Sequence, residues 1–135
     1  FGGVILRHSV LSIGKRFLHI HGGYLPNYKG STTNYYSVLE ENICGASAIF
    51  LSPDIDEGPI LMRRKFPRPP DMRLLDYGYD SLMRASVLLE VFTKYLKKGV
   101  WEFESVDTNN GEKYYVMHPL LRHIAILGKG GKSET

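Results

Sequence analysis

From position 17 the chain reads Phe17, Leu18, His19, Ile20, His21, an apolar stretch interrupted at alternate places by imidazoles. That pattern predicts a buried strand over residues 16–21 with both histidines on one face. Upstream, residues 6–13 read as a short helix closed by Gly14. Residues 22–30 are rich in Gly with a Pro at position 26, which predicts a loop. Ser31, Thr32 and Thr33 offer N-caps for a helix running to Asn42, with Tyr35, Val38 and Leu39 inward. A turn over 42–45 leads into the apolar run 46–51, a second buried strand. A loop over 53–58 precedes a third strand over 59–66, apolar first and cationic later, as a sheet edge would be.

Pro67, Pro69 and Pro70 end regular structure there. Leu82, Ala85, Leu88, Leu89, Phe92, Tyr95 and Leu96 then recur at helical spacing. They predict a long helix over 80–98, with Lys97 and Lys98 in its last turn and Gly99 as its cap. This helix reads as core packing without a functional role. Residues 100–106 and 113–118 read as a hairpin turning at Asn110-Gly111. His118, before Pro119, is expected to bond a carbonyl at a strand end. The Gly- and Lys-rich tail over 128–135 is expected to be disordered.

Helices alternating with buried strands indicate an α/β sheet whose ligands sit at strand ends. Composition adds limits rather than direction. At 135 residues, 43% hydrophobic and 23% charged, the chain suits one core. The net charge is +3, and basic residues such as Arg63, Arg64, Lys65, Arg68, Lys97 and Lys98 are spread out rather than gathered in one run. So diffuse a positive charge favours a small anionic ligand over nucleic acid. Cys44 is the single cysteine, in an apolar setting, so an internal disulfide is excluded and a reducing compartment is expected. No apolar run approaches the length of a membrane span, and no basic-then-apolar leader opens the sequence; cytoplasmic location without a membrane partner is the expectation.

The candidate chemistry lies in two places, His19 and His21 on their strand and the loop Asp54-Ile-Asp56-Glu-Gly58. A His-x-His pair with Asp56 could ligate a metal and support hydrolysis. No further His or Cys is convincingly spaced with them, and the preferred reading assigns no metal. The histidines could also be satisfied core residues.

His21 with Leu25-Pro26 and Gly30, a helix, the Gly45 to Leu51 strand, and then Asp56-Glu-Gly58-Pro-Ile60-Leu61 together resemble the formyltransferase family over about residues 1–66. The resemblance implies a Rossmann-like open sheet whose first strands, with an acceptor-phosphate loop, lie upstream of this sequence. It divides the chain into a catalytic half over 1–66, a helix and hairpin extension over 67–127 packed on the same core, and the tail. It implies formyl transfer from 10-formyltetrahydrofolate to a primary amine, foremost on a nucleotide-linked amino sugar, with a tRNA-sized acceptor less favoured. The family's Asn-His-Asp trio falls on His19, His21 and Asp56, so an imidazole stands where an amide is expected. His21 would be the base and Asp56 its orienting partner. Gly3, Val4, Ile5 and Leu6 on one side, and Leu51, Ser52 and Asp54 on the other, would line the folate pocket. Tyr28, Asn34 and Tyr35 would touch the acceptor, and a homodimer is compatible. The departure at His19 leaves a second possibility, a formyltransferase-like binding module with impaired catalysis.

Overall fold

The computed structural model describes residues 6–128. Gly3, Val4 and Ile5, and the tail beyond Gly128, lie outside the described residues. Three strands form an antiparallel sheet: β1 (Leu18–His21), β3 (Ile43–Phe50) and β4 (Ile60–Pro67), in the order β1-β3-β4. β3 is central because all of it except half-buried Ile43 is apolar or small and buried. It is covered on both faces, as a near-continuous apolar run predicts. Cys44, Ala46, Ala48 and Phe50 point to the helical layer, while Ile49 points to Leu25 and Ile60 on the other side.

Register carries this alternation to β1. Leu18 and Ile20 pair with Phe50 and Ala48 and face the helices; His19 and His21 pair with Ile49 and Ser47 and face away. The two imidazoles therefore share a face, as their spacing predicts. β1 is only half-buried short of His21, because it is a sheet edge among the described residues.

The helical layer consists of α2 (Thr33–Glu41), α3 (Asp80–Lys98) and α4 (Pro119–Leu127); a short α1 (His8–Leu11) precedes β1. Tyr35 and Val38 of α2 are buried as predicted, but Leu39 is exposed. The expected side-chain cap of α2 is absent: Thr32 adopts a left-handed conformation and spends its hydroxyl on the Met117 amide, 2.8 Å away. On α3 the buried stripe is Met83, Val87 and Val91, whereas Leu82, Leu89 and Leu96 are largely exposed. The sequence carries two apolar stripes, and the slimmer one fits against β3, Met72 and Leu75.

The expected hairpin does not form. Residues 100–106 are not a strand, and β5 (Glu112–Tyr114) instead pairs in parallel with β2 (Tyr28–Gly30), inside the segment read as loop. His118 does not meet a strand end: its Nδ1 accepts from the Leu120 amide at 3.2 Å and caps α4, with Pro119 in the first turn. No helix among the described residues is long and apolar enough to cross a membrane.

Candidate active site

His21 closes β1, so its ring sits where the strand gives way to the turn at Gly22 and Gly23. It is almost fully buried. Its Nε2 lies 2.8 Å from the Tyr28 carbonyl. A carbonyl only accepts, so Nε2 carries the hydrogen and the neutral ring keeps its lone pair on Nδ1. That nitrogen faces Asp56, with Oδ2 at 3.5 Å. His19, two residues earlier and half-buried, lies beside it with ring centroids 6.3 Å apart.

Asp56 reaches this position because the loop after β3 folds back. Asp56 adopts φ of 55°, a left-handed conformation that Asp tolerates better than most residues. Its Oδ2 also accepts from the Gly30 amide at 2.8 Å. The neighbouring Glu57 anchors the loop: Lys29 and Lys113 bind its carboxylate at 3.3 and 3.0 Å, and Thr108 donates to its carbonyl at 3.0 Å. These lysine hydrogen bonds, Lys113 first, hold the Glu57 carboxyl below its ordinary range. Gly58 is required for the same turn, since a Cβ there would collide with the Phe50 carbonyl. Lys29 is 1% exposed, Lys113 is its partner in β5, and Thr108 lies in the turn before that strand. None of the three was a sequence candidate; the buried lysine in a Gly-bounded strand is the one signal that marks the clamp.

Burial lowers the pKa of His21 against the opposing pull of Asp56 and the Tyr28 carbonyl, and Arg84 lowers it further. His19 is lowered as well, by burial first and then by His21 and Arg84. Both rings are therefore poised in the neutral form around pH 7.

The histidines open onto a cleft of about 430 Å³. Gly30, Asn34 and Tyr35 of the β2–α2 region line it, and so do Asp76, Asp80 and Arg84, with Asn34 and Tyr35 hydrogen-bonded to Asp80 and Asp76. The long helix therefore contributes to the site, contrary to its reading as packing alone. Its signal was the i,i+4 pair Asp80 and Arg84, whose Nε lies 2.7 Å from Asp80 Oδ2. Asn34 has structural duties too, accepting from the Gly45 amide at 2.7 Å and donating to Asp80 at 3.2 Å. Tyr28 is not in the cleft: its ring is buried and its hydroxyl donates to Glu40 and Glu41. Leu51, Ser52 and Asp54 do not line the cleft either. Leu51 packs beside Ile49, the cross-strand partner of His19, and the Ser52 hydroxyl donates to the Asp54 carbonyl at 3.1 Å. Leu6 is half-buried at the start of the described chain.

Over 99 residues, 70% of its length, the chain is 36% identical to a methionyl-tRNA formyltransferase of Chloroflexus aurantiacus. This segment belongs to the formyltransferase family. It covers 32% of that relative, so the chain spans about a third of the length of the curated relatives it matches. No family model matches it. The fold agrees. A sugar N-formyltransferase from a Shewanella species superposes with a TM-score of 0.59 at 18% identity, over 83% of this chain and 50% of that one. The formyltransferase PseJ from Anoxybacillus kamchatkensis, crystallised with a UDP-linked formamido sugar and tetrahydrofolate, gives 0.57 at 20% identity over 73% and 51%.

Proposed function

We propose that this formyltransferase segment carries the reacting half of an enzyme that moves a formyl group from 10-formyltetrahydrofolate to the primary amine of a nucleotide-linked amino sugar. The observation that carries this reading is the His21 pair of contacts. Nε2–H is committed to the Tyr28 carbonyl, so Nδ1 is the free base and Asp56 stands beside it. The formyl-folate supplies an activated one-carbon carbonyl. His21 Nδ1 takes the proton from the amine as its nitrogen bonds the formyl carbon. The Asp56 carboxylate stabilises the imidazolium so formed. His19, neutral and facing the same space, donates one N–H to the developing oxyanion, the task an amide performs elsewhere in the family. The proton on His21 then passes to the folate nitrogen as its bond to the formyl carbon breaks, and the base is regenerated.

Leu6, Leu51, Ser52 and Asp54, with Gly3, Val4 and Ile5, are proposed to border the folate. What supports this is the position of Leu51 beside Ile49, one cross-strand pair from His19. For the acceptor, Asn34 and Tyr35 line the cleft next to His21, and its volume suits a small molecule. The structural neighbours named for sugar substrates favour the sugar amine. The curated relatives, named for methionyl-tRNA, make that acceptor the competing one.

The test is formyl transfer by the full-length protein, offered 10-formyltetrahydrofolate with a panel of amino-sugar nucleotides and, separately, methionyl-tRNA. Formylated sugar nucleotide is the expected product. Product on methionyl-tRNA alone overturns the acceptor assignment. Folate binding without product on any amine overturns the enzyme reading in favour of an impaired binding module.

A further inference from the structure

The substitution that sets this site apart, an imidazole at position 19, changes which cations it can hold. His19, His21 and Asp56 each offer one ligating atom, and the three atoms lie within 4.8 Å of one another. Because Nε2 of His21 carries its hydrogen toward Tyr28, the Nδ1 lone pair and the Asp56 carboxylate oxygen face each other at 3.5 Å. Two electron-pair donors so placed repel unless a cation lies between them. A proton is one such cation; a metal ion is another.

We propose that His19, His21 and Asp56 form a three-ligand site for a divalent transition metal of the zinc type, and that the metal occupies the Nδ1 lone pair that formyl transfer needs. Two imidazoles and one carboxylate are a donor set that zinc favours, with a fourth position left to solvent. Tetrahedral zinc holds its N and O ligands about 3.4 Å apart. The His21–Asp56 separation already matches this, so only the half-buried His19 ring must swing closer. The outer hydrogen bonds that orient metal ligands are also in place. Tyr28 fixes the far nitrogen of His21, and the Gly30 amide fixes Asp56. Arg84 opposes a cation here, but Asp80 lies 2.7 Å from its guanidinium and offsets it. With an amide at position 19 the set would be one imidazole and one carboxylate, too few strong donors. Metal binding stands on this geometry alone. The consequence, that zinc and formyl transfer exclude one another, rests on His21 being the base.

The experiment uses the full-length protein, stripped with a chelator and titrated with Co²⁺ for its ligand-field absorption and with Zn²⁺ by competition. One ion per chain is expected, with affinity falling about tenfold or more in both His19→Asn and Asp56→Asn. His118→Ala and His123→Ala serve as controls for surface binding, and His19→Gln as a second variant should His19→Asn fold poorly. Unchanged stoichiometry and affinity in the position 19 and 56 variants overturn the site, as does absence of cobalt absorption in the wild type. In the transfer assay, zinc is expected to slow the wild type reversibly. Zinc that binds without slowing transfer overturns occupation of the Nδ1 lone pair. Failure of the transfer assay itself leaves the cobalt result standing, so the two readings fail separately.

Discussion

At the scale of single residues, the decisive fact is which nitrogen of His21 is free. The Tyr28 carbonyl takes Nε2, and the ring is buried. Burial lowers its pKa from the ordinary 6.5, so the folded protein resists protonation that the unfolded chain accepts. Stability conferred by this group is complete above pH 6.5 and is lost as the pH falls from there toward the lowered folded value. Denaturant melts in a chelating buffer are therefore expected to lose stability as the pH falls below 6.5, and His21→Gln to lose less over the same fall. A variant as pH-sensitive as the wild type would contradict the burial effect. Cys44 provides a second check. Burial pushes its thiol up to about 12, so alkylation at pH 8 is expected to be negligible until the protein unfolds. His21 and Asp56 were readable from the sequence because their motif spacing brings them together. The clamp on Glu57 was not, because Lys29, Thr108 and Lys113 are scattered through the chain and acquire meaning only when β5 lies against β2.

At the scale of elements, alternation served better than amphipathic spacing. The period-two pattern of β1 and β3 is reproduced in their register, down to the shared face of His19 and His21. On α3 the sequence offered the larger leucine stripe, yet the helix buries Met83, Val87 and Val91. Close packing against the small residues of β3 selects shape over total hydrophobicity. Met83→Ala is expected to cost about 2–5 kcal/mol by thermal or chemical denaturation. Leu89→Ala, at an exposed position, is expected to cost no more than about 0.5 kcal/mol. Equal losses would contradict the assigned face. β2 and α4 escape the sequence pattern, and β5 is mispaired by it, each for its own reason. A three-residue strand has no period to detect, and Asn110-Gly111 suggested a local hairpin where the pairing is long-range. Pro119 after His118 was the available sign of a helix start, and it was read as a strand end. Lys29→Met tests the clamp these elements build. It is expected to destabilise the fold by about 1–3 kcal/mol. It should also lower transfer rate through a displaced Asp56, and Lys29→Arg should recover part of both.

At the scale of the molecule, a sheet edge, the β2–α2 region and the start of α3 converge on one cleft, and the folded-back loop brings Asp56 to His21 behind it. The histidines of β1 line the cleft together with Gly30, Asn34, Tyr35, Asp76, Asp80 and Arg84. The chain matches about a third of the length of its curated relatives. The described residues thus hold the proposed reacting trio, and the acceptor is a property of the whole protein. The family was legible because His21, Leu25-Pro26, Gly30, Asp56 and Gly58 sit in one order at fixed spacing. The fold explains part of that order: the Gly30 amide holds Asp56 and Gly58 permits its turn, while Leu25 packs against Ile49 and Ile60. The most direct test of that account is the single-turnover rate of formyl transfer from 10-formyltetrahydrofolate, measured on the full-length protein and its His21→Ala variant at saturating acceptor. Loss of the base predicts a fall of about 10²- to 10⁴-fold with the acceptor still bound. Equal rates in the two proteins would contradict His21 as the base and, with it, the reading of this site.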